Sequence, residues 1–218
     1  MSNIASFSVR IQGEYGCFTR PEFKTERVSY EVPTPSAVRG VLEAVLWKPA
    51  IRWEIRRILM LREPRLIQFK RNEVNKKLST DSARSAMKAG TSLDYFADED
   101  RSQRNTVALA NLDFAVEAEM HWTARRGAAD NEQKFIEMFE RRLIKGQYHM
   151  QPYLGCREFP AVVEPYSGDP KPIERTQDLG VMLHDIAFSP TGNRAVFFLA
   201  QLERGVIQVP AWNAGAAQ

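Results

Sequence analysis

The amino-acid sequence predicts an α+β fold, and three observations carry that prediction. Apolar residues alternate at strand period over residues 4–11, 52–61 and 106–122. Two other segments, one opening at Thr34-Pro35 and one over residues 131–145, place their apolar residues at helical spacing. Three more strand-like runs, residues 180–188, 195–202 and 206–209, follow near the end. In order, the first part reads β-α-β-β-α-β, the ferredoxin-like pattern. RNA-recognition modules also use this pattern, but a fold alone decides no function. The expected organisation is a ferredoxin-like domain over residues 1–170, then a small antiparallel β-sheet over 171–218.

In the first strand, Phe7, Val9 and Ile11 share one face. The first helix opens on a hydroxyl cap, Thr34, followed by proline where a missing N–H costs nothing. Ala37, Val38, Val41, Leu42, Val45 and Leu46 form its apolar face, and Pro49 ends it. A second strand runs over residues 52–61 and resumes after Pro64 at 66–69. Residues 75–102 are polar and weakly periodic, which predicts a long mobile loop. The second helix buries Phe135, Met138, Phe139 and Leu143, and Gly146 stops it. Residues 153–165 read as a strand preceded by a turn. Glu203-Arg204-Gly205 reads as a hairpin turn between the last two strands.

The 218 residues carry a net charge of +3, and 44% are hydrophobic, enough for one sizeable core. Residues 51–77 hold nine Lys or Arg against three acids, a basic stripe suited to a polyanion or to a solvated face. Cys17 and Cys156 make no CxxC pair and no zinc-ligand set, so a reduced cytoplasmic protein with no metal and no cofactor is expected. The start Met-Ser-Asn-Ile lacks the pattern of a signal peptide, and no apolar run is long enough to span a membrane.

The loop from Tyr15 to Tyr30 is dense in aromatic and basic residues. Aromatic faces stack on bases and guanidinium groups hold phosphates, so this composition points to single-stranded nucleic acid. The alternative is a loop pinned as satellite core by Phe18, Phe23 and Tyr30.

Six stretches carry a family resemblance. They are Gly13-Glu-Tyr-Gly-Cys-Phe-Thr-Arg-Pro-Glu22, Glu26-Arg-Val-Ser-Tyr30, Thr34-Pro-Ser-Ala-Val-Arg-Gly40, Trp47-Lys-Pro49, Arg71-Asn-Glu-Val74 and Gln151-Pro-Tyr-Leu-Gly-Cys-Arg-Glu-Phe-Pro160. In these the chain resembles the Cas-five proteins of type I-C CRISPR systems, the branch acting as a dedicated precursor-crRNA endoribonuclease. The resemblance implies a ferredoxin-like domain with a small C-terminal sheet. It also implies CRISPR repeat RNA and crRNA as partners, with a place among the other type I-C Cascade subunits, gripping the crRNA 5′ handle.

The implied reaction is metal-independent: a ribose 2′-hydroxyl attacks the adjacent phosphate, leaving a 2′,3′-cyclic phosphate and a 5′-hydroxyl. That needs a base, an acid and a cation at the phosphate. The resemblance implies a Tyr or His near the end of the first helix and a Lys-His pair on the second. Here those positions read Leu46 and Lys134-Phe135, so Lys134 alone remains, as a charge stabiliser. Of the three histidines, His149 is the candidate substitute, beside Tyr148, Tyr153 and Arg157; the alternative is an exposed loop histidine. His121 reads as structural, and His184 has no motif around it. The candidate RNA-binding residues are Tyr15, Phe18, Arg20, Arg27, Arg39, Lys48, Arg71 and Arg157. Two further readings stay open: a crRNA-holding subunit with weakened or lost cleavage, and sequence-independent binding of double-stranded DNA through the basic stripe.

Overall fold

The computed structural model describes residues 3–23, 25–93, 95–189 and 191–212. Its strands and helices are β1 (Asn3–Gly16), β2 (Arg27–Val28), α1 (Pro35–Val45), β3 (Ile51–Met60), β4 (Arg65–Val74), α2 (Thr80–Ala89), β5 (Arg101–Trp122), α3 (Glu132–Lys145), β6 (Val162–Pro165), β7 (Gln177–Ala187), β8 (Arg194–Glu203) and β9 (Val206–Gln208). The strands form one sheet in the order β6-β1-β5-β3-β9-β8-β7, with β2 and β4 pairing β5 off that path. The class is mixed α and β, as the alternating apolar patterns require.

β5 is the spine. Its second half lies between β1 and β3, and its first half pairs β4 on one side and the short parallel β2 on the other. Asn111 has φ 60° at the point where the partner changes from β4 to β3. Asparagine tolerates this left-handed conformation better than most residues, so the strand can redirect there without glycine. β4 and the first half of β5 thus form an arm that leaves the main sheet.

α1 and α3 cover one face. Trp53 fills the space beneath α3, with its ring 4.6 Å from Phe139 and 5.6 Å from Phe7, and its Nε1–H donates to the Leu46 carbonyl at 3.1 Å. The opposite face is charged and largely self-paired. Arg10 meets Asp113, Arg56 meets Glu54 and Glu119, and Arg57 meets Glu117. The basic stripe is therefore balanced on β3 by acids from its own strand and from β5. Arg65, Lys70, Lys76 and Lys77 keep no ion pair among the described residues.

Three expectations need correction. The segment expected to be a mobile loop over 75–102 contains α2, which opens where the Ser79 hydroxyl accepts the Ser82 N–H and closes at Gly90 with φ 65°. None of its residues is buried, so its signals are the local caps rather than an apolar stripe. Asp94 of that segment lies outside the described residues. α1 ends at Val45, four residues before Pro49, because tertiary donors cap it. The Ala44 carbonyl accepts from the His149 and Met150 N–H groups, and the Val45 carbonyl from Arg142. Finally, only Val162–Pro165 of residues 153–165 is strand. The preceding residues fold back on themselves, with Leu154 N–H donating to the Phe159 carbonyl at 2.8 Å and Ala161 N–H to the Pro152 carbonyl at 2.9 Å.

Candidate nucleic-acid interface

The folded-back segment 151–160 is held against the end of β1. Leu154 is fully buried over Gly13 and Gly16, where a Cβ on either glycine would press on its side chain. Cys17 N–H donates to the Leu154 carbonyl at 3.0 Å. Gly155 has φ 79°, and a Cβ there would lie 2.0 Å from the Cys17 carbonyl oxygen. Only glycine allows the two backbones to cross this closely.

This crossing brings the first loop, the arm and the 151–160 segment together around an arginine cluster. Arg27 reaches Glu158 at 3.2 Å, Glu73 at 3.3 Å and the Cys156 sulfur at 3.2 Å. Arg71 donates from Nε to Thr106 Oγ1 at 3.2 Å, pairs with Glu73 at 3.2 Å, and shares Glu158 with Arg27. Arg104 joins Glu73 at 3.4 Å. Three guanidinium groups therefore share two carboxylates. Burial alone would push the Glu158 carboxyl up, but its own backbone N–H, then Arg71 and Arg27, hold it below the usual range. Beside the cluster, the Phe159 ring lies 6.2 Å from Tyr15 and 6.5 Å from Phe69. Tyr15 is 39% exposed. Arg157 is exposed and makes no ion pair among the described residues.

The remaining candidate residues are more scattered. Phe18 is 3% exposed and belongs to the core, so its ring is closed to a base; its place beside the buried Tyr30 is the reason. Arg20 stacks its guanidinium over the Tyr30 ring at 4.9 Å and pairs weakly with Glu22. Arg39 is gripped by Asp185 at 2.7 Å and Glu43 at 2.6 Å. It lines a 330 Å³ cleft with Cys17, Thr34, Tyr153 and Asp185. Lys48 is exposed beside Trp47, itself 49% exposed, in the turn after α1.

The structure separates the two candidate catalytic residues. Lys134 sits in the first turn of α3, 3.4 Å from Asp130. His149 lies beyond the other end of α3, its side chain exposed and its N–H bonded to Ala44 at 2.8 Å. The rise of the helix between Lys134 and Lys145 is about 17 Å. His149 thus lies at the end of α1, next to the segment holding Leu46 and Lys48. The Leu46 and Phe135 side chains are buried, at 0% and 3% exposure, as the apolar stripes of their helices require. His121 is buried against Glu119 and Glu54, and His184 donates from Nε2 to the Pro210 carbonyl at 2.8 Å, so both are held structurally. Among the described residues no group of three or more His, Cys, Asp or Glu is arranged to hold a metal, and no helix is long and apolar enough to cross a membrane.

Arg104, Glu73, Glu158, Phe69 and Phe159 were not among the residues expected to form the site. Glu73, Glu158 and Phe159 stand inside the stretches that carry the resemblance, but nothing in their spacing says that they converge. The pairing of Arg71 opposite Arg104 across β4 and β5 brings in Glu73, and the chain crossing at Gly155 brings in Glu158 and Phe159.

Comparison with known proteins gives the family. Two curated relatives are both described as CRISPR pre-crRNA endoribonuclease Cas5d. The one from Mannheimia succiniciproducens is 45% identical, with 94% of this chain and 95% of the relative aligned. The one from Thermus thermophilus is 41% identical over 95% and 93%. Among solved structures, one described as a CRISPR-associated protein matches with TM-score 0.71 at 21% identity, covering 97% of this chain and 94% of the other. A functionally uncharacterized protein from Streptococcus mutans matches with TM-score 0.69 at 21% identity, over 96% and 94%. A chain of a CRISPR RNA-guided surveillance complex matches with TM-score 0.53 at 13% identity, over 98% and 95%. Residues 7–210 match the family described as CRISPR-associated protein (Cas_Cas5), and with the two curated relatives that match makes this chain a member of the Cas5 family.

Proposed function

We propose that this protein binds CRISPR repeat RNA, cleaves precursor crRNA and keeps the crRNA 5′ handle as a subunit of a type I-C Cascade complex in the cytoplasm. The observation that carries this reading is the Arg27–Arg71–Arg104 cluster with the exposed Tyr15 ring beside it, backed by the buried Phe159, in a family whose curated relatives are described as pre-crRNA endoribonucleases. Guanidinium groups fit phosphate oxygens and exposed rings fit unpaired bases. The order β6-β1-β5-β3, with α1 and α3 on one face, supports a ferredoxin-like domain over residues 1–170, while β9, β8 and β7 continue the same sheet beyond β3 rather than forming the separate small sheet expected.

Cleavage in this reading is metal-independent attack by a 2′-hydroxyl. His149, at the end of α1, moves the proton; Lys48, four residues past the Ala44 carbonyl that His149 caps, and Arg157, eight residues after His149, are the candidate cations for the phosphate. Lys134, at the far end of α3, holds RNA away from the cut. The decisive experiment incubates the protein with a labelled repeat hairpin in EDTA, beside a control carrying a 2′-deoxy sugar at the cut. One discrete cut, blocked by the deoxy sugar, is expected. A cut that needs added magnesium would remove the mechanism. Tight binding without any cut would favour the second reading, a crRNA-holding subunit, for which the buried Leu46 and Phe135 speak.

The arginine cluster has its own test. Replacing both Arg27 and Arg71 with alanine should weaken repeat-RNA binding and flatten the slope of log K on log salt by about 1.4, since each phosphate contact to a single strand contributes about 0.7. An unchanged slope would mean that these arginines serve only Glu73 and Glu158.

A further inference from the structure

Cys17 and Cys156 are 139 residues apart in sequence, but the fold brings them together. The Cys156 sulfur lies 3.8 Å from the Cys17 carbonyl oxygen, so the outer thiol rests directly against the inner cysteine. The backbone crossing at Gly155 enforces this approach. Cys156 is partly exposed and Arg27 donates to its sulfur at 3.2 Å. Cys17 is 1% exposed behind it, its sulfur 3.5 Å from Thr19 Oγ1 and 3.8 Å from the Val107 carbonyl. An outer thiol beside a cation with an inner thiol in reach is the arrangement of an attacking and a resolving cysteine.

We propose that Cys156 and Cys17 form an oxidation site for hydroperoxides that closes to an intramolecular disulfide. The Cys156 thiolate sulfur attacks one oxygen of hydrogen peroxide. The O–O bond breaks, the departing hydroxide takes a proton to become water, and Cys156 is left as a sulfenic acid. The Cys17 sulfur, giving up its proton, then attacks the Cys156 sulfur and expels the hydroxyl as a second water. Two thiols lose two electrons and two protons, and one peroxide becomes two waters.

The direction of attack follows from the surroundings. The contact with Cys17, then the Arg27 charge, holds the Cys156 thiol below the usual range, against burial and the nearby Glu158. The contact with Cys156 and burial push Cys17 up. The bond would staple the first loop to segment 151–160 and take the thiolate from Arg27. None of this depends on RNA binding.

The test treats the full-length protein with hydrogen peroxide and maps peptides without reduction. The expected result is an intact mass lower by two hydrogens and both thiols lost to a thiol-reactive dye. A peptide pair joining Cys17 to Cys156 should appear, with everything reversed by dithiothreitol. Cys17→Ser should stop at a sulfenic acid on Cys156 that dimedone traps. Two thiols persisting at peroxide levels that oxidise a free cysteine peptide would overturn the proposal. So would oxidation yielding only cross-chain disulfides or sulfonic acids. The wild-type map decides the matter even if the variant misfolds.

Discussion

His149→Ala should slow single-turnover cleavage of repeat RNA by about 10²- to 10⁴-fold, the usual worth of one proton-transfer group, and leave RNA affinity unchanged. Among the described residues the exposed imidazole makes no hydrogen bond, ion pair or ring contact, and its backbone N–H, which caps α1, survives the substitution. The variant should therefore fold as the parent does, so that lost cleavage reports on chemistry. Lys134→Ala makes the comparison. With α3 between the two residues, Lys134 is expected to lower binding and cleavage by the same factor. If Lys134→Ala instead abolished cleavage at full affinity while His149→Ala did nothing, the scissile phosphate would belong at the N-terminal end of α3. Gel-shift titration beside quench-flow cleavage at saturating protein separates the two cases.

Gly155→Ala should cost about 2–5 kcal/mol of folding stability, from the left-handed backbone and from overpacking together. The methyl group would meet the Cys17 backbone, which cannot turn aside as a side chain would. Relief requires the 151–160 segment to lift away from β1, which would withdraw Leu154 from its seat on Gly13 and Gly16. Glu158 would leave Arg27 and Arg71 in the same movement. Urea unfolding at unchanged m-value should therefore show a lower midpoint. RNA affinity should fall even where the variant is fully folded. A midpoint within error of the parent would show that the crossing is looser than its geometry indicates.

The sequence made the strongly periodic elements legible. The apolar stripe of α3, the capped start of α1 and the alternation in the second half of β5 are local facts, and local facts determine them. α2 was missed because its caps lie in a polar segment and no residue of it reaches the core. The early end of α1 was missed because its caps are His149, Met150 and Arg142, distant in sequence. The same division holds at the site. Arg27, Arg71 and Tyr15 could be chosen by residue type, whereas Glu73 and Arg104 matter only because β4 and β5 pair in one register, and Glu158 only because its segment crosses β1 at Gly155. Phe18 failed for the opposite reason: an aromatic in a basic loop can serve the core or a ligand, and burial assigned it to the core. The charge excess over residues 51–77 was partly cancelled because Glu117 and Glu119, which pair with Arg57 and Arg56 of β3, stand on β5 outside the stretch that was counted.

The single strand that runs through both the core and the arm gives the molecule a mechanical character. An isolated two-stranded ribbon is marginal in water. Here the ribbon is rooted near Asn111 in the strand flanked by β1 and β3 and is free at the α2 tip. It behaves as a cantilever. The bonds from Arg71 to Glu158 and from Arg27 to Glu73 tie the arm to the body part-way along, as a prop shortens the free length of a beam. Anything that draws these arginines off their carboxylates lengthens the overhang, so gripping a ligand at the prop and loosening the tip become the same event.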